Sequence, residues 1–186
     1  MNYATIKPVD IANGPGVRVS LFVSGCTHFC KGCFNAEAWD FSFGQPFTGD
    51  TIEEILALLD HDYIEGLTLL GGEPMEPVNQ EGVLPLVQAV RERFPEKSIW
   101  CYSGYDFETD ILGRMMKESE TTRKLMPLFD VMVDGKFVQE KRNMKLKFRG
   151  SENQRILDVR KSLDAGKAVW REEFLIKLQG KYQLNN

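Results

Sequence analysis

Apolar residues take every second place in Val17, Val19, Leu21 and Val23, which is the period of a strand. Asn13-Gly14-Pro15-Gly16, just before it, reads as a turn from its Gly and Pro content. Ile52, Ile55, Leu56 and Leu59 recur at helical spacing, and Asp50 followed by Glu53 predicts a capping-box-like start to that helix. Leu67 to Leu70 predicts a short buried strand that ends in Gly71-Gly72-Glu73-Pro74. Val83 to Phe94 predicts a second helix, stopped near Pro95. Ser98 to Tyr102 reads as a strand ending at Ser103-Gly104-Tyr105, and Ile111 to Lys117 as helical. Val131-Met132-Val133 is a further strand, ending at Asp134-Gly135-Lys136.

Strands alternating with helices predict βα units and a mainly parallel sheet, hence the α/β class. Each predicted strand ends in a glycine-containing polar loop, and in a βα barrel or part-barrel such loops gather at one rim. The chain is short for eight units, so the expectation is an open, partial (βα) barrel. Without a linker, repeat or low-complexity tract, residues 1–186 are read as one domain. Beyond about Ala165 the pattern weakens, and the polar end from Tyr182 to Asn186 is expected to fray.

The first strand runs into Gly25-Cys26-Thr27-His28-Phe29-Cys30-Lys31-Gly32-Cys33-Phe34-Asn35, which holds three of the four cysteines as C-x3-C-x2-C. Three sulfurs cannot pair among themselves, so the spacing suits a metal centre better than a disulfide. A closed zinc site wants four ligands, and a four-iron cube usually takes four cysteines. Three thiolates would leave one iron open to a substrate. A zinc knuckle completed by His28 or Cys101, or unliganded thiols, are the competing readings. The Gly71-Gly72-Glu73-Pro74 loop suits a ligand with an amino group, because glycines admit close approach and a carboxylate accepts from an ammonium; a turn with a capping acid is the plainer reading. Phe34 or Trp39 could lie against a flat base, or plug the core. Cys101 reads as a small buried apolar residue. Asp134 and Lys136 are either a surface pair or reach a ligand's polar groups.

Composition changes this picture little. A hydrophobic content of 42% and a net charge of −4 fit a globular protein and give no hint of nucleic-acid binding. No apolar run approaches the roughly 20 residues of a membrane span, and the N-terminal residues lack a signal-peptide core. Clustered cysteines do not resemble a secreted disulfide framework. A cytoplasmic location, with no membrane or nucleic-acid partner, is the expectation.

The cysteine loop after one strand and Gly-Gly-Glu-Pro after the next together resemble the radical S-adenosylmethionine enzymes. Gly14-Pro15-Gly16-Val17-Arg18 is similar to the opening segment of glycyl-radical-enzyme activases. Gly25 to Trp39, and Gly150-Ser151-Glu152-Asn153-Gln154-Arg155-Ile156-Leu157-Asp158, resemble segments of the activases of anaerobic ribonucleotide reductase. Pyruvate formate-lyase activase shares the loops and is the nearest alternative. Gly32 stands where many radical enzymes have an aromatic residue, and Asn13 where many have Asp. The resemblance implies one 4Fe-4S cluster on Cys26, Cys30 and Cys33, with S-adenosylmethionine on its fourth iron. It further implies that Gly71, Gly72 and Glu73 bind the amino group, and that Gly32, Cys33 and Phe34 face the adenine. Ser103, Asp134 and Lys136 are then ligand-proximal. The implied activity is formation of a glycyl radical in the large subunit of the anaerobic reductase, with a reductant such as flavodoxin supplying electrons.

Overall fold

The structure is a computed structural model that describes residues 1–174, 176–178 and 181–183. Seven strands form one sheet: β1 (Asn2–Asp10), β2 (Val17–Val23), β3 (Gln45–Pro46), β4 (Ile64–Gly71), β5 (Ser98–Tyr102), β6 (Val131–Asp134) and β7 (Arg155–Asp158). Their order is β3-β1-β2-β4-β5-β6-β7, so the sheet is open, with β3 and β7 at its ends. β2, β4, β5 and β6 are parallel; β1, β3 and β7 are antiparallel to their neighbours. The parallel centre matches the pattern read from the sequence, and the antiparallel flanks correct it. β1 buries little beyond Asp10 and has a register break before that residue, near Pro8, so it carries no hydrophobic period. β7 has only Ile156 and Leu157 fully buried, too short a run to register as a strand.

Helices cover one face. α1 (Gly49–Leu59) and α2 (Pro77–Arg93) set Ile55, Leu59, Val83 and Val87 against Val19, Leu21, Leu67 and Leu69 of the sheet. Each such fully buried aliphatic side chain contributes about 1.5–3 kcal/mol. Thr48, not Asp50, caps α1, and the Thr48 N–H donates to Thr51 Oγ1 at 3.2 Å. α2 begins at Pro77 rather than Val83, because its first turns bury Asn79 and Gln80, which serve neighbouring loops instead of the core. The chain after β5 forms a wide i→i+5 helix over Phe107–Met115, earlier than the predicted start at Ile111. It continues as α3 (Met116–Glu118) and α4 (Glu120–Leu125), and α5 (Val159–Ala165) follows β7. β8 (Ile176–Leu178) and β9 (Lys181–Gln183) pair with each other, so Tyr182 and Gln183 lie in a strand rather than in a frayed end; residues 184–186 lie outside the described residues.

The other face of the sheet is partly polar. Arg18 is fully buried there and donates to Thr68 Oγ1 at 2.7 Å, Ser98 Oγ at 2.9 Å and the carbonyls of Leu67 and Ser98. Its guanidinium lies 5.6 Å from the Trp100 ring. Burial pulls its pKa down to about 10, which leaves it charged at neutral pH. Arg18 keeps the alternation of β2, on the face opposite Val19 and Leu21, and that face is buried too; satisfaction of its donors is what lets a guanidinium sit there.

At the far edge, Arg155 of β7 gathers three carboxylates. It donates to Asp134 Oδ1 at 3.0 Å, Glu108 Oε2 at 2.7 Å and Asp106 Oδ2 at 3.3 Å. Burial raises Asp106 and Glu108, but for Asp106 the Thr109 N–H and Arg155, and for Glu108 Arg155 itself, outweigh it and hold both below 3.8 and 4.5 respectively. Burial pushes the fully enclosed Asp134 up. The two depressed groups therefore stabilise the fold above their ordinary values and lose that contribution as pH falls; Asp134 works the other way. Replacing Arg155 by Met is expected to cost about 3–5 kcal/mol at pH 7. The loss should shrink below about pH 4, as the stranded carboxylates take up protons. Urea unfolding at the two pH values checks this.

Candidate metal centre and ligand cavity

β2 and β4 run side by side in register, with Val23 opposite Gly71. The two loops that leave them are therefore neighbours, and hydrogen bonds lock them together. Gly72 N–H donates to Val23 O at 2.7 Å and Glu73 N–H to Gly25 O at 2.9 Å. A Cβ on Gly72 would meet Gly25 O at 2.6 Å and Ala38 O at 2.9 Å, so only glycine fits. The short turn Ala36–Trp39 folds back under the loop, where Gly25 N–H and Cys26 N–H donate to Ala38 O and Trp39 O.

Two buried carboxylates brace the cysteine loop from the second loop. Glu76 Oε1 accepts from Thr27 N–H at 2.9 Å and Thr27 Oγ1 at 2.5 Å. Glu73 Oε2 accepts from Gly104 N–H at 2.6 Å and lies 2.9 Å from His28 Nε2; its Oε1 accepts from Met75 N–H. Asn79 Nδ2 adds bonds to the carbonyls of Ser24, Gly25 and Glu73. His28 is thus neither an exposed loop residue nor aimed at the sulfurs. Its side chain is 6% exposed and packs edge-on against Tyr105, with ring centres 4.5 Å apart. Sequence reasoning missed this bracing by His28, Glu76 and Asn79, for which spacing offers no signal. A nearby pair of acids after a glycine turn was the one visible clue.

Each of the three sulfurs has a backbone N–H directed at it: His28 N–H at Cys26, Phe137 N–H at Cys30, and Asn35 N–H at Cys33, the last at 3.4 Å. Donors of this kind support anionic sulfur in metal–thiolate groups. Burial pushes the Cys26 thiol up to about 12, with Glu73 and Glu76 adding to the rise, and burial raises Cys30 as well. A lone thiolate is disfavoured there; a cationic centre would supply the missing charge. Three soft sulfur donors that line one cavity fit an iron–sulfur unit. Cys101 lies fully buried in the helix-facing core, as a small apolar residue would.

A cavity of about 560 Å³ opens beside these sulfurs. Cys26, Cys30, Cys33, Phe34, Gly71, Gly72, Glu73 and Ser103 all line it, so most of the site residues read from the sequence converge. Gly32, Asp134 and Lys136 are not among the lining residues. Gly32 and Lys136 are exposed, and the Asp134 carboxylate is taken up by Arg155 and by Phe107 N–H. Trp39 packs against Phe29 outside the cavity. Part of the remaining wall comes from an unanticipated source, the irregular loop before β7, through Met144, Leu146 and Phe148. Tyr102 OH and Arg149 Nη2, on two further lining residues, have no protein partner.

The chain's relatives agree with this geometry. A family model described as a 4Fe-4S single cluster domain matches residues 12–157. The anaerobic ribonucleoside-triphosphate reductase-activating protein of Enterobacteria phage T4 is 46% identical over 156 residues, covering 84% of this chain and 93% of its own. The proteins of the same name from Vibrio cholerae and Escherichia coli strain K12 are 44% and 41% identical, covering 83% and 86% of this chain and 96% and 100% of theirs. The class is an α/β protein with a 4Fe-4S single cluster domain, in which three clustered cysteines follow a parallel strand. The chain belongs to the family of anaerobic ribonucleoside-triphosphate reductase-activating proteins.

A Cβ at Gly104 would come within 2.3 Å of His28 Cδ2. Gly104→Ala should therefore cost about 1–3 kcal/mol in thermal unfolding of the metal-free protein. In a His28→Ala background, where the ring is gone, the same change should cost under about 0.5 kcal/mol, since the two act through one contact.

Proposed function

We propose that this protein activates an anaerobic ribonucleotide reductase by installing a glycyl radical in its large subunit. In this reading the domain is of the radical S-adenosylmethionine type, an open partial barrel. The observation that carries it is the meeting of the three-cysteine loop and the Gly-Gly-Glu loop at one cavity, together with relatives named for the activation of that reductase. Cys26, Cys30 and Cys33 would hold a 4Fe-4S cluster, and S-adenosylmethionine would occupy the cavity. When bound, the cluster would supply the one electron needed to cleave S-adenosylmethionine reductively to methionine and a 5′-deoxyadenosyl radical, the species that would take hydrogen from a glycine Cα.

The protein's own residues do the rest. Gly71 and Gly72, packed without side chains against β2 and the cysteine loop, would meet the methionine end with backbone atoms. Glu73 keeps acceptor capacity on Oε1, which makes a single bond to Met75 N–H, and that fits an ammonium. Phe34, 64% exposed at the cavity wall, offers a ring for the adenine, beside the backbone of Gly32 and Cys33. The Ser103 side-chain oxygen accepts from Tyr105 N–H, which leaves its proton for a ligand. Lys136 and Asp134, at the end of β6, would act on the ligand only after rearrangement of the Arg155 cluster. The apolar wall excludes water from a reactive intermediate, and the reductase segment that enters would complete the closure. A protein reductant such as flavodoxin would deliver the electron, in the cytoplasm.

Anaerobically purified protein should be brown and contain about four irons per chain. Cys26→Ala, Cys30→Ala and Cys33→Ala should each lose that iron, and Cys101→Ala should keep it. Mixed with reductant, S-adenosylmethionine and the reductase large subunit, the loaded protein should yield a glycyl-radical signal in electron spin resonance. A colourless zinc protein, or no signal from loaded protein, would refute the proposal.

A further inference from the structure

The rim of the cavity combines two features. First, it is apolar. Phe34 and Met144 line the cavity and are 64% and 79% exposed. Phe29, between the lining residues His28 and Cys30, is 62% exposed, and Ile11, next to the lining residue Ala12, is 73% exposed. Large apolar side chains gathered around one opening mark a contact surface. Second, it is basic. Between Lys141 and Arg149 the chain carries Lys141, Arg142, Lys145, Lys147 and Arg149 and no acidic residue, although the whole protein has a net charge of −4. The first four are exposed, and among the described residues none has a carboxylate within 4.0 Å. The nearby Glu140 is engaged by Lys31. Arg142 lies over the Phe34 ring at 5.0 Å, so the basic loop and the cysteine loop form one continuous rim.

We infer that this basic loop, residues 141–149, is the docking surface for the reductase large subunit, and that it receives a carboxylate-rich face of that partner. The inference rests on the function proposed above. The loop is itself a wall of the cavity, through Asn143, Met144, Leu146 and Phe148. A backbone segment that must reach the sulfurs therefore passes across it. Unpaired cations at the rim attract an acidic partner and orient it, while Met144, Phe29 and Phe34 supply the apolar contact that holds it. Such attraction acts over about a Debye length, roughly 8 Å at physiological salt, and weakens as salt rises.

The test compares wild type with K141E/K145E/K147E, none of which lines the cavity, and with K117E/K124E on the distant helices as a control. Binding of the cluster-loaded protein to the reductase large subunit is measured without oxygen, in the presence of S-adenosylmethionine and dithionite, from 50 to 300 mM salt. The triple variant should bind at least about tenfold more weakly at low salt, lose most of the salt dependence, and yield correspondingly less glycyl radical. The control should match wild type. Cleavage of S-adenosylmethionine with dithionite and no partner should be unchanged in all three. Equal binding by the triple variant overturns the inference. So does a defect seen only with a protein electron donor, or affinity of the loop for single-stranded nucleic acid with reductase binding intact. Failure of wild type itself to cleave S-adenosylmethionine would instead refute the proposed function, while the binding comparison would still decide the docking surface.

Discussion

Everything at the site depends on the parallel pairing of β2 with β4. Val23 lies opposite Gly71, so the chain leaves both strands at the same level and the cysteine loop and the Gly-Gly-Glu loop emerge as neighbours. Parallel strands ending together is the general device by which α/β proteins collect chemistry at one rim. Here the device is tightened by backbone bonds from Gly72 and Glu73 into the cysteine loop. Slipping the register by one residue would turn Leu67 and Leu69 out of the helix-facing core and separate the loops.

The two faces of the sheet divide the work. The helix face is a continuous aliphatic core that fixes the strand positions. The opposite face holds Arg18, Thr68 and Trp100 deep inside, and carries the cavity above them. Burying the Arg18 charge is costly, and four hydrogen bonds to neutral oxygens together with the Trp100 ring offset it. That arrangement stiffens β2, β4 and β5 together, because its acceptors come from β4 and β5. The strands that carry the loops cannot shift independently.

Much of this was legible in the residues. The spacing of Cys26, Cys30 and Cys33, and the glycines after Leu70, marked the loops that meet at the cavity. Periodicity located the parallel strands, since their buried runs are long enough to show. It failed where burial is slight or polar. β1 lies mostly exposed, the start of α2 buries Asn79 and Gln80, and Arg18 faces inward against its polarity. The bracing through His28, Glu73 and Glu76 was hidden for a different reason. It joins residues 45 and 49 positions apart, and no local pattern encodes such a pairing. The loop that completes the cavity carries no periodic pattern before Gly150, and Phe148 packs against Trp100, which is far from it in sequence.

The bracing moves part of the site's definition away from its cysteines. Thr27, His28 and the carbonyls of Ser24 and Gly25 are anchored by protein groups, Glu76, Glu73 and Asn79. A substitution at Glu76 or Asn79 would therefore be felt beside Cys26 without touching a sulfur. An inventory of cysteines alone understates which positions hold the loop in shape.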